Sequence, residues 1–335
     1  MARIFSGIQP TGVATLGNYL GALRNWVDLQ QQPDECVYCL VDLHAITVFQ
    51  DPAALREQTY TMAALLLACG IDPSRSVLFH QSAVPAHVRL SWIFNCVARM
   101  GWLKRMTQFK DKAGKNQEDV STGLFVYPNL MAADILAYHA TKVPVGDDQL
   151  QHLELANDIA EKFNHDFGVP FFPRIEALIL KETARVMSLR DGTKKMSKSD
   201  PSDQSRINMT DDADSIAQKI RKAKTDAEPF PDHLAALTNR PEARNLLGIF
   251  AAISGESQEA VLAQFAGSDF KPFKEKLADL LVAHIGPIAQ RTNEYLADKA
   301  ELNRILQAGA HRAAAIADPI TAEAEKIVGF LPGIS

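Results

Sequence analysis

The stretch that decides the fold is Ile4–Asn18, IFSGIQPTGVATLGN, in which a short apolar strand runs through a glycine-rich turn into a helix. Leucine or valine then recurs at steps of four, three and four from Leu16 to Val27, which is the spacing of a helix with one apolar face. Glycine lets a backbone or a flat ring approach closely, and a helix start offers N–H groups to an anion. The stretch therefore predicts either a nucleotide over the helix start or a tight structural turn, and it matches neither the Rossmann dinucleotide fingerprint nor a Walker A loop.

Further strand signals alternate with helix signals through the first half of the chain. Cys36–Val41 and Ser76–Phe79 are apolar runs typical of buried strands, and Lys142–Gly146 predicts a fourth strand. Helices are predicted from Asp51 and from about residue 151 to 163. This β-then-α order predicts an α/β fold, a Rossmann-like parallel sheet with helices on both faces. Ligands of such sheets bind at the carboxyl ends of the strands.

The composition is that of an ordinary globular protein of 335 residues, long enough for two domains. No apolar run approaches the ~20 residues that span a bilayer, and the N-terminus lacks a signal-peptide pattern. Four cysteines do not form a disulfide scaffold, so we expect a cytoplasmic protein without a membrane partner. The net charge of −5 argues mildly against nucleic-acid binding, but basic residues cluster at 181–198 and 219–224 and could form a basic face.

The chain divides into a sheet-containing part, residues 1–200, and a helical part, residues 201–335. Within the first part, residues 85–129 are predicted as a helical insertion whose large apolar residues either form a partner interface or pack on the sheet. In the second part, helices are predicted over residues 211–224, 241–253, 257–265 and 272–284, with an interruption at Gly286-Pro287. A last helix, at about 321–330, could pack on either part.

Two other clusters carry side chains suited to chemistry. Asp191–Ser199, DGTKKMSKS, combines a turn with paired lysines, and is either a mobile loop that reaches polyphosphate oxygens or a basic linker. Asp134 lies among apolar and small residues, where a carboxylate needs a partner. It could equally be a helix cap or part of an internal salt bridge.

Several motifs together resemble a known family. Lys195–Ser199 is the KMSKS signature of class I aminoacyl-tRNA synthetases, and Thr15–Asn18 lies where that class carries its HIGH signature. Residues 3–200 resemble the tryptophanyl-tRNA synthetases of bacterial or organellar type. The segments that carry this closer resemblance are Gly7–Pro10, Val41–Thr47, Met106–Lys110 and Met131–Asp134.

The resemblance implies roles for individual residues. Asp134 would accept a hydrogen bond from the indole N–H of tryptophan, within a slot lined by Phe5, Val41, His44, Met131, Val143 and Val145. Tyr127 and Gln149 would hold the ammonium group. ATP would be bound by Gln9, Pro10, Thr11, Gly17, Asn18, Gly146, Asp147, Asp148, Val186, Lys195, Met196, Ser197, Lys198 and Ser199. The residues expected to act in catalysis are Gln9, Lys112, Lys195 and Lys198.

The resemblance also implies a reaction and partners. The tryptophan carboxylate would attack the α-phosphorus of ATP, pyrophosphate would leave, and the aminoacyl group would pass to the 3′ end of tRNA(Trp). Mg²⁺ would be held by the ATP phosphates, so no protein metal site is expected. The helical part would read the anticodon, and the chain would form a homodimer.

Three alternatives remain open on the sequence alone. A tyrosine–tRNA ligase usually carries glutamine at the position of Met131, because a phenol both donates and accepts. A small-molecule nucleotidyltransferase would not need so large a helical part, and a non-catalytic paralogue would not need both loop lysines. Cys36 and Cys39 resemble half of a metal site, but no second pair lies nearby, so a structural role is expected.

Overall fold

The fold is built on a five-stranded parallel sheet. In the computed structural model, residues 2–106, 121–146, 149–179 and 185–331 are described. The strands are β1 (Arg3–Ile8), β2 (Glu35–Leu40), β3 (Val77–His80), β4 (Lys142–Val145) and β5 (Glu176–Ile179). Their order is β3-β2-β1-β4-β5, and every pair is parallel. The strand order therefore reverses between β1 and β4, where open α/β sheets form ligand crevices.

Helices connect and cover the strands. The first, α1, runs through three consecutive segments, Leu16–Asn18, the π-helical Tyr19–Leu23 and Arg24–Leu29. The next six are α2 (Asp42–Ala45), α3 (Pro52–Cys69), α4 (Ala86–Val97), α5 (Met100–Arg105), α6 (Thr122–Leu136) and α7 (Leu150–Phe167). The remaining five are α8 (Ala213–Lys222), α9 (Pro241–Ser254), α10 (Gln258–Phe265), α11 (Phe270–Ala297) and α12 (Lys299–Ile327).

The sheet separates two apolar cores, and β2 shows how its sequence supplies both. Cys36, Tyr38 and Leu40 point into one core, whereas Val37 and Cys39 point into the other. This alternation follows from the two-residue period of a strand. The predicted parallel sheet with helices on both faces is therefore confirmed. The two cysteines are free, buried and on opposite faces, so their side chains cannot share a metal ion.

The C-terminal helices continue one of these cores. Leu247 of α9 and Phe273 of α11 belong to the same buried cluster as Ile4 of β1, and α11 packs along α3. The apolar core therefore continues across residue 201, where the sequence changes from mixed strand and helix signals to helix signals alone. The last helix, α12, packs on β3 and α4, and Gly309 approaches β3 so closely that an added Cβ would lie 1.8 Å from the Leu78 carbonyl oxygen.

Two expectations about the elements were wrong, and one strand was missed. Gly286-Pro287 does not interrupt a helix, because α11 continues through Pro287 with Ile285 and Ile288 buried on either side. Packing in the core outweighs the hydrogen bond that proline removes. The last helix begins at Lys299 rather than near residue 321, and its apolar face is rich in alanine, which gives a weak sequence signal. The edge strand β5 was not predicted, although Ala177–Ile179 is a short apolar run.

The predicted insertion is partly core and partly surface. Phe94 and Met106 are buried, whereas Val88, Trp92 and Met100 are more than half exposed. Packing in the core is therefore confirmed for the buried residues, and a partner interface formed by the exposed ones stays a prediction. Within the described ranges, no single helix is long and apolar enough to cross a membrane, and only the bent pair α9–α10, taken together, meets that length and composition.

Candidate active site

A cavity of about 370 Å³, here called the central cavity, lies where the strand order reverses. Its walls come from the carboxyl ends of β1, β2 and β4 and from α6 and α7. All nine residues predicted to bind tryptophan line it: Phe5, Val41, His44, Tyr127, Met131, Asp134, Val143, Val145 and Gln149. It is also lined by Ser6, Gly7, Gln9, Ile135, Pro144, His152 and Leu153, of which only Gln9 was predicted, as an ATP contact. Sequence segments more than a hundred residues apart thus form one mostly apolar slot.

Asp134 is the carboxylate of this cavity, and it is held by three donors. It lies on α6 with 1% of its surface exposed. Its Oδ1 accepts from Gln81 Nε2 at 2.6 Å and from His87 Nδ1 at 2.7 Å, and its Oδ2 accepts from His44 Nε2 at 2.7 Å. A carboxylate only accepts, so each of these nitrogens carries a hydrogen. His87 in turn contacts the Tyr138 hydroxyl through Nε2 at 2.8 Å.

This network keeps the carboxylate charged despite its burial. Burial on its own would raise the pKa of Asp134, but the charges and hydrogen bonds of His44 and His87 outweigh it and hold that pKa below its usual value. A carboxylate offers about four acceptor positions. Both positions of Oδ1 are occupied, so among the contacts that the structure describes the remaining one is on Oδ2, beside the cavity-lining His44.

Tyr127, two turns before Asp134 on α6, is a second polar group of the central cavity, and its ring lies 6.1 Å from that of His44. Tyr127 Oη lies 3.0 Å from Nε2 of His152, and burial raises the pKa of Tyr127 to about 12. The tyrosine is therefore a neutral hydroxyl at physiological pH. Gln149 begins α7 at the same rim. The lining of the cavity thus combines a charged acceptor, Asp134, with neutral polar groups such as the Tyr127 hydroxyl.

The first turn of α1 is capped by side chains of its own residues, Thr15 and Asn18. Asn18 Oδ1 accepts from the Thr15 N–H at 2.9 Å, and the Asn18 N–H donates back to Thr15 Oγ1 at 3.4 Å. This capping box uses the oxygen of Asn18 and leaves its amide nitrogen without a partner among the described residues. An added Cβ on Gly17 would lie 3.6 Å from Val186 and 3.7 Å from Met196. The glycine therefore leaves a narrow space between α1 and the segment that carries the lysines.

That segment, residues 186–199, is here called the lysine arm. Its two limbs pair with each other: Ser188 N–H donates to Lys194 O at 2.8 Å, and Met196 N–H donates to Val186 O at 3.1 Å. The side chains of Val186 and Met196 are buried, so the predicted ATP contact of Met196 would involve its backbone. Ser197 and Ser199 are exposed, with their hydroxyls 2.9 Å apart.

The lysine arm reaches the glycine turn through Lys198. Its Nζ donates to the Thr11 carbonyl at 3.3 Å, and its stem passes 3.6 Å from the position of a Cβ on Gly12. Burial lowers the pKa of Lys198 to about 8. Gly12 has φ of +66°, a conformation that favours glycine, and its N–H donates to Gln58 of α3 at 3.1 Å. Lys195, on the same arm, is exposed to solvent.

The other predicted ATP residues are distributed around this space. Gln9 is exposed at the end of β1 and lines the central cavity, Pro10 is buried, and Gly146 is exposed after β4. Lys112, Asp147 and Asp148 lie outside the described residues. In the ranges that are described, no group of three His, Cys, Asp or Glu side chains could hold a metal ion.

Sequence reasoning missed three buried residues that support the site. Gln81 and His87 follow the carboxyl end of β3, and that position was the available signal, because such ends meet at the ligand edge of the sheet. Asn245 of α9 lies in the helical part and gave no signal. One predicted basic residue is not free for a ligand: Lys219 is buried between Asp203 and Asp211, at 2.7 and 2.6 Å.

Comparisons with known proteins agree with this geometry. Residues 1–285 match the family model of class I tRNA synthetases for tryptophan and tyrosine. The chain is 56% identical to a tryptophan–tRNA ligase of Caulobacter vibrioides, with 98% of this chain and 95% of the relative covered. It is 54% identical to that of Rhizobium meliloti, with 98% of each covered.

Solved structures give the same result. A tryptophanyl-tRNA synthetase of Campylobacter jejuni, solved with ADP and tryptophan, matches with a TM-score of 0.84 and 33% identity over 98% of this chain and all of that one. The enzyme from Mycoplasma pneumoniae matches with a TM-score of 0.87 and 32% identity over 99% and 98%. The parallel sheet, the glycine turn, the lysine arm and these likenesses agree, and the chain belongs to the class I aminoacyl-tRNA synthetases of the tryptophan and tyrosine family, among the tryptophan–tRNA ligases.

Proposed function

We propose that this enzyme activates L-tryptophan with ATP, releasing pyrophosphate, and then transfers the aminoacyl group to the 3′ end of tRNA(Trp). The observation that carries this proposal is the charged, buried Asp134 with one acceptor position left in an apolar slot. Indole nitrogen donates one hydrogen bond and accepts none. One vacant acceptor therefore matches the one polar atom of the tryptophan side chain.

The same geometry supports rejection of other aromatic amino acids. Phenylalanine would leave the Oδ2 position of Asp134 without a donor, which costs more than a difference in shape. Tyrosine could donate to Oδ2, but its phenol oxygen also needs a donor. The neighbouring wall carries Met131 and Val143, which supply none. Tyr127 and Gln149 lie where they can hold the ammonium group, so the carboxylate would point towards the glycine turn.

ATP is proposed to lie over Gly17, between α1 and the lysine arm. A Cβ on Gly17 would touch Val186 and Met196, so glycine leaves the α1 backbone open to the close approach of a flat ring. The Asn18 amide, Lys195 and Lys198 would then contact the phosphates, and Gln9, which lines the central cavity, would contact ATP. When bound with ATP, Mg²⁺ would add positive charge on the phosphate oxygens. The lysines align and neutralise the leaving pyrophosphate while the tryptophan carboxylate attacks.

The helical part is proposed to contact tRNA. Support comes from the exposed Arg221 and Lys222 at the end of α8, which keep a positive surface although Lys219 is ion-paired. Phosphate contacts of this kind strengthen binding without reading bases. The Arg221→Ala variant should charge tRNA more slowly than the wild type, whereas its tryptophan-dependent exchange of pyrophosphate should stay unchanged. An equal loss of both activities would contradict this placement.

A cytoplasmic homodimer is proposed, with the subunit contact on the insertion. Val88 and Trp92 stand one turn apart on α4 with 54% and 65% of their surfaces exposed. An aromatic residue so exposed is typical of interface cores. Sedimentation velocity should give a dimer for the wild type and a monomer for Trp92→Ser. A wild-type monomer at micromolar concentration would refute the proposal.

The experiment that tests the activity is ATP–pyrophosphate exchange with each of the twenty amino acids. Tryptophan should support exchange, and phenylalanine and tyrosine should support little. Faster exchange with tyrosine would refute the proposed specificity. No exchange with any amino acid would favour a non-catalytic paralogue.

A further inference from the structure

Asn245 makes a pair of hydrogen bonds to a single distant residue, Met187. Its side chain is 7% exposed on α9, its Oδ1 accepts from the Met187 N–H at 2.8 Å, and its Nδ2 donates to the Met187 carbonyl at 2.9 Å. An amide side chain is suited to this, because it offers an acceptor and a donor in one plane. Asn245 therefore occupies the place that a neighbouring strand would take beside Met187.

Met187 belongs to the lysine arm, and its other edge pairs with the limb that carries the lysines. Met187 forms an antiparallel bridge with Lys195, next to the bond between Met196 and Val186 at 3.1 Å. Val186 in turn stands beside Gly17 of α1. Three segments thus lie side by side next to the proposed nucleotide site. The Val186–Met187 limb is in the middle, with the side chain of Asn245 on one edge and the Lys195–Met196 limb on the other.

A second contact joins the arm to the same helix. Gly192, at the tip of the arm, lies so close to the start of α9 that an added Cβ would be 2.5 Å from the Pro241 carbonyl carbon. The tip and one edge of the arm are therefore both held by α9. The edge contact is the one that fixes the register of the limb facing Gly17.

We infer that Asn245 is a positioning residue for the nucleotide. It fixes the position of the Val186–Met187 limb beside Gly17, where the adenine ring is proposed to bind, and it keeps Lys195 in register for the phosphates. This inference rests on the proposed placement of ATP over Gly17. Without Asn245, ATP must itself order the limb, so the substrate binds more weakly before any chemistry takes place.

The chain contains a matched control for the same chemistry. Asn157 of α7 accepts from the Ile175 N–H at 2.8 Å and donates to the Ile175 carbonyl at 3.0 Å. Neither Asn157 nor Ile175 lines the central cavity, and neither belongs to the lysine arm. A variant of Asn157 loses the same two bonds and reports the cost to folding alone.

The test is steady-state exchange kinetics on the full-length Asn245→Ala and Asn157→Ala variants. Each lost hydrogen bond weakens an interaction by a factor of about 2–10, so the KM for ATP should rise about tenfold in Asn245→Ala. The KM for tryptophan should stay within about twofold. Asn157→Ala should lose a similar amount of thermal stability and keep the wild-type KM for ATP. Equal rises in both variants, or an unchanged KM for ATP in Asn245→Ala, would overturn the inference.

Two further variants keep the test decisive. If Asn245→Ala does not fold, Asn245→Asp replaces it. At neutral pH the carboxylate of this variant has no hydrogen to donate to the Met187 carbonyl. Protonation of the carboxylate restores a donor. The ratio of the variant's KM for ATP to that of the wild type should therefore fall as the pH falls. A ratio that does not change with pH would contradict the inference.

Gly17→Ala tests the nucleotide placement separately. Its methyl group has ordinary contacts of 3.5–3.7 Å in the protein, so the variant should fold, but the methyl group narrows the gap meant for ATP. If Gly17→Ala raises the KM for ATP and Asn245→Ala does not, only the inference fails. If Gly17→Ala leaves ATP binding unchanged, the proposed nucleotide site itself is wrong.

Discussion

Replacing Asp134 by asparagine keeps the shape of the side chain but removes its charge and exchanges one acceptor atom in the central cavity for a donor. Gln81 and His87 both donate to Oδ1, so the amide oxygen of the variant must stay at that position. The amide nitrogen then takes the place of Oδ2, beside His44, whose ring can accept from it after a change of tautomer. An indole N–H in the cavity would meet a donor instead of an acceptor.

The expected loss follows from that single bond. A hydrogen bond to a charged partner contributes about 1.5–3 kcal/mol, which is about 10- to 150-fold in kcat/KM for tryptophan. The analogue β-(benzothiophen-3-yl)alanine has sulfur in place of the indole N–H, so it cannot make the bond in either protein. The wild type should prefer tryptophan over this analogue by about that factor, and Asp134→Asn should lose the preference.

The assay is ATP–pyrophosphate exchange with both amino acids, together with thermal melting of each protein. Asp42→Asn is the matched control, because Asp42 also follows a strand end and accepts from Ser82 N at 2.9 Å, outside the central cavity. It should keep the wild-type preference. An Asp134→Asn variant that still prefers tryptophan by the wild-type factor would refute the role assigned to the carboxylate.

Three further predictions concern the lysine arm and the packing of α12. Lys198 is charged below its pKa of about 8 and neutral above it, so kcat/KM for ATP should fall as pH rises through about 8, and Lys198→Arg, which stays charged, should abolish that fall. Lys195→Ala should lower kcat more than it raises the KM for ATP, because its charge acts on the leaving pyrophosphate. Gly309→Ala should lower stability by about 1–3 kcal/mol in a denaturant titration, because the added Cβ meets the Leu78 carbonyl. Gly101→Ala, with nothing within 4 Å of the added atom, should raise stability by about 0.5–1 kcal/mol.

Each of these has an opposite outcome that counts against the structure. A pH profile of Lys198→Arg identical to that of the wild type would mean that another group titrates near pH 8. A Lys195→Ala variant with normal kcat and a raised KM would assign the lysine to ground-state binding. A Gly309→Ala protein as stable as the wild type would show that α12 does not lie against β3 at this distance.

The sequence was sufficient for the sheet and for the walls of the central cavity. Strands β1 to β4 are short apolar runs, and parallel strands bring their carboxyl ends to one edge whatever lies between them. Phe5, Val41, Val143 and Val145 line one cavity for this reason, and α2, α6 and α7 add the other residues that family resemblance assigns to tryptophan. Their individual roles remain predictions.

The parts that could not be predicted depend on long-range packing. Pro287 would end an isolated helix, but buried neighbours in α11 hold the helix together. Gln81 and His87 carry no motif, and their role depends on where α6 places Asp134. The contact of Asn245 with Met187 forms only because α9 packs beside the lysine arm, and Met187 lies 58 residues earlier in the chain. Local patterns do not contain such information.

The most direct measurement is a crystal structure of the protein with a non-hydrolysable analogue of tryptophanyl-adenylate. The indole nitrogen should lie within about 3.2 Å of Asp134 Oδ2, and the adenine ring should lie against Gly17, next to Val186. An indole ring turned away from Asp134, or an adenine bound elsewhere, would contradict the account.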